Sequence, residues 1–480
     1  MKKLRFSLLL GAAALARPAA AQAPDIFKMS PEERTAYLAK QNAAAQVDWQ
    51  QMIDQLHLTL PALPPPADDP RRPAGTTQRP GSPNWYDPAG YMYVRSAWGS
   101  WSNYDEVKAG SAALPDVLTL KNGRPVRDAK TWWQQRRPEI LRDYQQQVYG
   151  TTPAHTPRVT FEVTATEQGA LDGRATKKTI VGHIDNSRYP AATPSLTITL
   201  YLPAQATGPV PVLVVAGGFF GPFPGQPAPK GPSALDLALA AGWGVAGVPT
   251  GSIQQDSGAG LREGIIGLMN EGRPRQPTDW GVLTAWSWGM SRALDYLQTD
   301  KSVNPEAIGI EGHSRWGKTA LLAAALDPRF AIVYASCSGS MGASLEKRSY
   351  GENIDNVAGP GEYHWMAGNF LQYGGRWDAL PVDAHDLMAL VAPRPLFVTG
   401  GTHDSWSDPH GEFLACVGAS PVYQLLGKKG LSSNVMPAPD VAAADGDLAF
   451  RLHEGGHTDL PDWPVFLAFA GRYFKASPAR

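Results

Sequence analysis

Cysteine is nearly absent from this chain, with Cys337 and Cys416 the only two in 480 residues. Two thiols build no disulfide framework, so stability must come from a buried core, and whether the pair bonds is open from sequence. Charge of one sign is lacking too: the formal net charge is -1. That balance leaves no global field to attract nucleic acid or an anionic membrane, so neither is an expected partner and any anion recognition must be local. Beyond the N-terminus no apolar run is long enough to span a bilayer, and no repeat of solenoid period is visible. The histidines lack metal-site spacing and Gly217-Gly218 lacks the lysine of a phosphate loop, so neither metal nor cofactor is expected.

The first residues have a recognisable order. Lys2, Lys3 and Arg5 precede an apolar run from Phe6 to Leu15, and small residues follow through Ala23. This is a secretory signal pattern, with cleavage after Ala21 or Ala23, and it predicts export to the periplasm or medium. Residues 24–100 read as an extension. Ser30 to Leu58 has an N-cap and an amphipathic pattern (Leu38, Val47, Met52, Ile53, Leu56), and Pro61 to Pro88 is a proline-rich, polar linker. Residues 101–480 form the expected catalytic domain.

Aromatic residues are plentiful, including 15 tryptophans. Most belong in a core, but flat rings on a surface or groove are a habit of sugar-binding proteins, because they stack on the apolar faces of pyranoses. A helix is predicted over Ala129 to Tyr149, then alternating strands at Arg158 to Ala165, Lys177 to Ile184 and Ser195 to Leu202. Strands at Val210 to Val215, Trp243 to Val248, Ile308 to Glu311, Phe330 to Ala335, Pro395 to Val398 and Phe450 to His453 are separated by helical stretches. Such alternation builds a mostly parallel sheet with helices on both faces, and ligands sit beyond the strands' C-terminal ends.

One motif at such an end carries chemistry. In Glu311-Gly312-His313-Ser314-Arg315-Trp316-Gly317-Lys318, a strand is followed by a turn and a predicted helix from Lys318 to Leu326. That geometry lifts a serine Oγ clear of the backbone beside helix N-terminal amides, where an oxyanion would form. The usual elbow has glycine two residues after serine; here Trp316 stands there and Gly317 follows. Serine needs a base, and in sheet hydrolases the acid and histidine follow it in the chain. The histidines after Ser314 are His364, His385, His403, His410, His453 and His457. His457 fits best, in a glycine-preceded turn between a late strand and a final helix, with His453 as runner-up. The backbone N-H of Arg315 is an oxyanion donor by position, and the turn Ala216-Gly217-Gly218-Phe219 is a weaker candidate.

The Gly-x-Ser-Arg-x-Gly-Lys run resembles the glucuronoyl esterases of carbohydrate esterase family 15, whose elbow reads Gly-Cys-Ser-Arg-x-Gly-Lys. Thr278-Asp279-Trp280-Gly281 through Leu297 resembles the helix before that elbow. Gly351-Glu352-Asn353-Ile354, Ala367-Gly368-Asn369-Phe370, Ala392-Pro393-Arg394-Pro395 and Gly455-Gly456-His457 follow in the family's order, so the likeness spans Asn103 to Phe474. It implies an α/β-hydrolase fold, a three-layer sandwich around a mostly parallel central sheet. It also implies a serine esterase acting on 4-O-methyl-glucuronoyl esters such as those joining glucuronoxylan to lignin alcohols. Esterases for acetyl xylan or small uronate methyl esters, and a catalytically silent carbohydrate binder, are the alternatives; a monomer is expected.

The resemblance selects His457 as well and assigns further roles. Fungal members carry the triad glutamate after the strand following the elbow, where this chain has Cys337. Some bacterial members carry the acid after the next strand, which points to Asp404, with Asp408 as alternative. The Arg315 side chain assists the oxyanion hole in the family. Lys318 and Glu352 match residues that hold sugar hydroxyls, and Trp406 matches an aromatic beside the glucuronate ring. The bland alternatives are a solvated helix residue for Lys318, a salt-bridge partner for Glu352 and packing for Trp406.

Overall fold

Along strand β7 (Val210–Ala216), Val212 and Val214 enter one apolar cluster while Leu213 and Val215 pack into a second. The same alternation separates Val333 and Ala335 from Tyr334 on β10 (Val333–Ser336), and Leu396 and Val398 from Phe397 on β11 (Leu396–Gly401). Successive side chains of a strand point to opposite faces, so a strand apolar throughout must be covered on both. Helices Val282–Leu297, Arg315–Leu326, Ala384–Val391 and Pro409–Leu425 supply the larger core, and Trp463–Ala470 with Ala234–Ala240 covers the other face. The result is a three-layer sandwich.

This computed structural model describes residues 29–80, 82–110, 114–219 and 231–475, so the predicted signal segment lies outside the described residues. A small antiparallel sheet, β1 (Thr77–Gln78), β2 (Trp85–Tyr86) and β3 (Met92–Tyr93), lies in the N-terminal extension. The large sheet also contains β4 (Val159–Ala170), β5 (Ala175–Ile184), β6 (Leu196–Pro203), β8 (Gly244–Val248), β9 (Val303–His313), β12 (Ala442–Ala443) and β13 (Leu448–His453). Its order is β12-β13-β11-β10-β9-β7-β8-β6-β5-β4. From β13 to β8 every neighbouring pair is parallel, while β8-β6-β5-β4 and β12-β13 are antiparallel. The predicted switch from antiparallel pairing to strand-helix alternation therefore divides the sheet.

Register places the chemistry. Ser336 pairs with His313 on one side and Thr399 on the other, and Gly401 pairs with His453. Strands β9, β10, β11 and β13 thus end side by side, and Ser314, Cys337, Asp404 and His457 follow those ends.

Three expectations differ in detail. The strand before Ser314 begins at Val303, because it is paired on both sides in the middle of the sheet. The helix after it begins at Arg315 rather than Lys318, immediately behind the serine. The N-terminal helix is real (Pro31–Gln55, closed by a Ser30–Glu33 capping box), yet Leu38 and Val47 are exposed. Only its second half docks, through Ala45, Trp49, Met52 and Ile53, so the buried stripe is shorter than the predicted one.

Candidate active site

Ser314 has φ 59° and ψ -130°, a strained conformation for a residue with a side chain, and its N-H is bonded to Ser336 O at 2.8 Å. Strain of this kind persists only where the surroundings enforce it. Gly312 shows how: a Cβ there would lie 2.0 Å from Trp316 O, so strand end and helix start touch backbone to backbone. Trp316, which replaces the expected glycine, lies over Gly217, stacks at 6.5 Å on Trp286 and donates its indole N-H to Thr250 Oγ1 at 3.0 Å. The bulky residue is accommodated because it leaves the elbow sideways into the neighbouring turn.

The His457 Nδ1 lies 2.7 Å from Asp404 Oδ2, and the histidine side chain is 42% exposed while the carboxylate is buried. Burial pushes the Asp404 carboxyl up, but His457, with bonds from Ser407 and Cys337, holds it below the ordinary carboxylate value. Two backbone bonds and one to a side chain tie the two loops together: Thr402 N to His453 O (3.0 Å), His403 N to Gly455 O (2.7 Å) and Gly455 N to Thr402 Oγ1 (3.0 Å). The other histidines are engaged elsewhere. His453 is fully buried with Nδ1 on Asp462 (2.8 Å) and Nε2 on Gly456 O (2.9 Å). His364 meets Asp256, His385 meets Pro115 O, His403 faces Glu454 and His410 meets Glu106.

Asp408 caps helix Pro409–Leu425 through Gly411 N (3.0 Å) and accepts from Arg348 Nε (2.9 Å) and Ser344 Oγ (3.1 Å), so its contacts are with structural groups. Cys337 holds the alternative acid position at φ 46°, its buried thiol bonded to Thr458 O at 3.7 Å. Burial and then the Asp404 and Glu412 charges push that thiol well up, so it stays protonated. Both cysteines are free.

The Arg315 guanidinium reaches Asp256 Oδ2 at 2.5 Å and lies 5.1 Å over the Trp365 ring. Lys318 donates to Glu352 Oε2 (2.6 Å) and Ser340 O (2.5 Å), and both side chains of the Lys318–Glu352 pair are about 95% buried. Glu352 N is bonded to Trp406 O at 2.8 Å, which joins the half-buried Trp406 loop to that pair. The Gly217 and Gly218 amides are occupied by Val248 O and Val215 O, so the glycine pair does not present free donors to an oxyanion as the sequence suggested.

A sequence model of fungal glucuronyl esterases matches residues 273–427. A carbohydrate esterase of an unknown prokaryotic organism is 33% identical over 77% of this chain and 92% of its own length. A glucuronoyl esterase structure from Teredinibacter turnerae aligns with TM-score 0.77 at 38% identity, covering 89% of this chain and 99% of that one. One from Solibacter usitatus gives TM-score 0.69 at 39% identity over 76% and 99%. The chain belongs to carbohydrate esterase family 15. It is thereby a carboxylic ester hydrolase with the α/β-hydrolase fold of that family.

As a family member it contains neighbours that sequence reasoning missed. His313, where the family motif has cysteine, bonds Ser336 Oγ through Nδ1 (3.2 Å), and its ring centroid lies 4.3 Å from that of His457. Burial and the nearby His457 lower its pKa to about 3, so a neutral ring supports the candidate base. Asp256 collects Arg315, His364 Nε2 (2.9 Å) and Trp365 Nε1 (2.6 Å). Glu362 sits near Lys318, Arg315 and Glu352, and burial followed by the Glu352 charge pushes it up to about 8. Glu412 accepts Ser338 N (2.7 Å) and Gly339 N (3.0 Å), shaping the turn that carries Cys337. No motif marked Asp256, Glu362 or Glu412, and His313 stood inside the serine motif without an assigned role.

Proposed function

We propose that this chain hydrolyses 4-O-methyl-glucuronoyl esters, as in lignin-carbohydrate linkages of glucuronoxylan, through an acyl-enzyme on Ser314. The observation that carries the reading is the 2.7 Å bond between His457 Nδ1 and a buried Asp404, beside a serine on a strained elbow. Ser314 Oγ attacks the ester carbonyl while His457 Nε2 takes its proton, and Asp404 holds the Nδ1-H and the imidazolium that results. The Arg315 amide and guanidinium face the carbonyl oxygen as it becomes negative. His457 then returns the proton to the departing alcohol. Water, deprotonated by the same histidine, attacks the acyl carbon, and glucuronate leaves with Ser314 restored. Lys318 and Glu352 hold ring hydroxyls, and Trp406 flanks the sugar.

The family supports an ester of an acid sugar, and the names of relatives narrow it: several curated fungal proteins, such as that of Schizophyllum commune (30% identical over 66% of this chain), are 4-O-methyl-glucuronoyl methylesterases. The structure of a promiscuous esterase of this family from the marine bacterial metagenome, at 32% identity and TM-score 0.69, keeps other esters among the alternatives. The signal pattern at 1–23 supports export, and no described helix is long and apolar enough to cross a membrane. Residues 24–100 act as an extension to a monomeric catalytic domain at 101–480. The test is hydrolysis of benzyl glucuronate beside an aryl acetate and benzyl galacturonate. Preference for the glucuronate ester is expected; faster turnover of the acetate would overturn the substrate class, and no turnover of any ester would favour a silent binder.

A further inference from the structure

The extension places aromatic rings where the catalytic scheme has no use for them. Tyr91 is 42% exposed, and one face of its ring stacks on Tyr104 at 4.9 Å and 22°. Tyr104 is fixed in turn: its hydroxyl donates to Met92 O at 2.5 Å, and Tyr93 and Tyr350 meet it edge-on at 5.1 and 5.9 Å. A ring backed in this way has already lost its rotamer freedom on folding, so a ligand stacking on the outer face meets little ordering cost.

The cluster continues into the site. Asn103 Nδ2 donates to Ser349 O (2.6 Å) and Gly351 N donates to Asn103 O (2.9 Å), which holds Tyr350 one residue from the Glu352 segment. A Cβ on Gly351 would lie 2.4 Å from both Ser405 O and Trp406 O, so the segment that Asn103 grips touches the acid loop that carries Trp406. The rim is polar. Asp87 accepts Tyr91 N at 2.9 Å and the Tyr93 hydroxyl at 3.4 Å.

We propose that Tyr91, backed by Tyr104, is a stacking platform for a neutral pyranose of the polysaccharide that carries the ester, which rests on the functional reading above. A pyranose offers an apolar ring face with hydroxyls around its edge, matching a flat tyrosine rimmed by a carboxylate and phenols. The platform extends from the Glu352 and Trp406 side, where the acid sugar is held, so it continues the sugar chain rather than the alcohol. An aryl alcohol would instead call for an enclosed apolar slot, and the Tyr91 face is open.

The experiment compares Tyr91→Ala and Tyr91→Phe on three esters: methyl 4-O-methyl-glucuronate, its benzyl ester, and the methyl ester borne on a xylo-oligosaccharide. Because Tyr91 is exposed on its outer face, both variants should fold, which the two monosaccharide esters check. Tyr91→Ala should lose about tenfold in kcat/KM on the oligosaccharide ester, through KM, as expected for one lost stacking contact, while Tyr91→Phe retains most of it. An equal loss on all three esters, a loss confined to the benzyl ester, or no loss would each overturn the platform. Binding of a neutral xylo-oligosaccharide to wild type and Tyr91→Ala, followed by calorimetry, needs no turnover. Weaker binding to Tyr91→Ala supports the platform even if the ester assignment fails, and equal binding overturns it.

Discussion

Asp256→Asn is expected to lower kcat on a glucuronate ester about tenfold while leaving the fold intact. Asp256 makes the 2.5 Å bond that aims the Arg315 guanidinium, and its other oxygen accepts from His364 and Trp365. Those partners hold the carboxyl well below its ordinary value in spite of its burial, so it is ionised across the working range. A hydrogen bond to a charged group contributes roughly 1.5 to 3 kcal/mol, but the Arg315 side chain is 41% exposed and water screens the pair, so the lower end applies. About 1.4 kcal/mol in the barrier is a tenfold loss of rate. The asparagine still accepts from Trp365, which limits the structural damage. A merely structural role would move Tm rather than kcat, so both are measured, together with Asp256→Asn in an Arg315→Ala background. The double variant should be no slower than Arg315→Ala alone, because the aspartate acts through the arginine. Unchanged kcat in Asp256→Asn, or additive losses in the double variant, would refute the reasoning.

Asp404→Asn should lose far more kcat than Asp408→Asn, and Asp408→Asn should mainly lower Tm, because Asp408 caps a helix and pairs with buried Arg348; kinetics beside thermal unfolding of both variants decide it. Lys318→Ala and Glu352→Ala should raise KM and weaken the preference for glucuronate over galacturonate esters, each costing roughly 1 to 3 kcal/mol, and an unchanged preference would remove them from sugar contact. Glu362, with a folded pKa of about 8 against 4.5, binds more protons in the native than in the unfolded state between those values. The stability it confers is therefore complete below about pH 4.5 and is lost as pH rises through about 8. Denaturant titrations across that window should show a smaller pH slope for Glu362→Gln than for wild type.

The parallel half of the sheet was legible because β7, β10 and β11 are short and mostly apolar, the pattern of strands buried on both faces. The serine was legible because its strain needs a local sequence, Gly312 before it and a helix start behind it. Chain order then reduced ten histidines to six, and the turn after the late strand left His457 with His453 as runner-up; His453 is buried against Asp462. Asp256, Glu362 and Glu412 were not legible, since a single carboxylate leaves no pattern and its partners lie tens of residues away. The buried stripe of the N-terminal helix was misjudged at Leu38 because that helix docks only from Ala45 onward, on Ala358 and Tyr363, and at Val47 because the docked face is the one that carries Ala45, Trp49, Met52 and Ile53. His313 lay in plain view inside the motif, yet its neutral state follows only from burial beside His457.

The central claim is that the uronoyl group passes through Ser314. Steady-state and rapid-quench kinetics of wild type and Ser314→Ala on benzyl glucuronate test it most directly. The account predicts that Ser314→Ala stays folded, loses about a thousandfold or more in kcat and forms no covalent adduct, while quenched wild type carries the uronoyl mass on the peptide containing Ser314. A Ser314→Ala variant that keeps most of its activity, or an adduct on another residue, would contradict it.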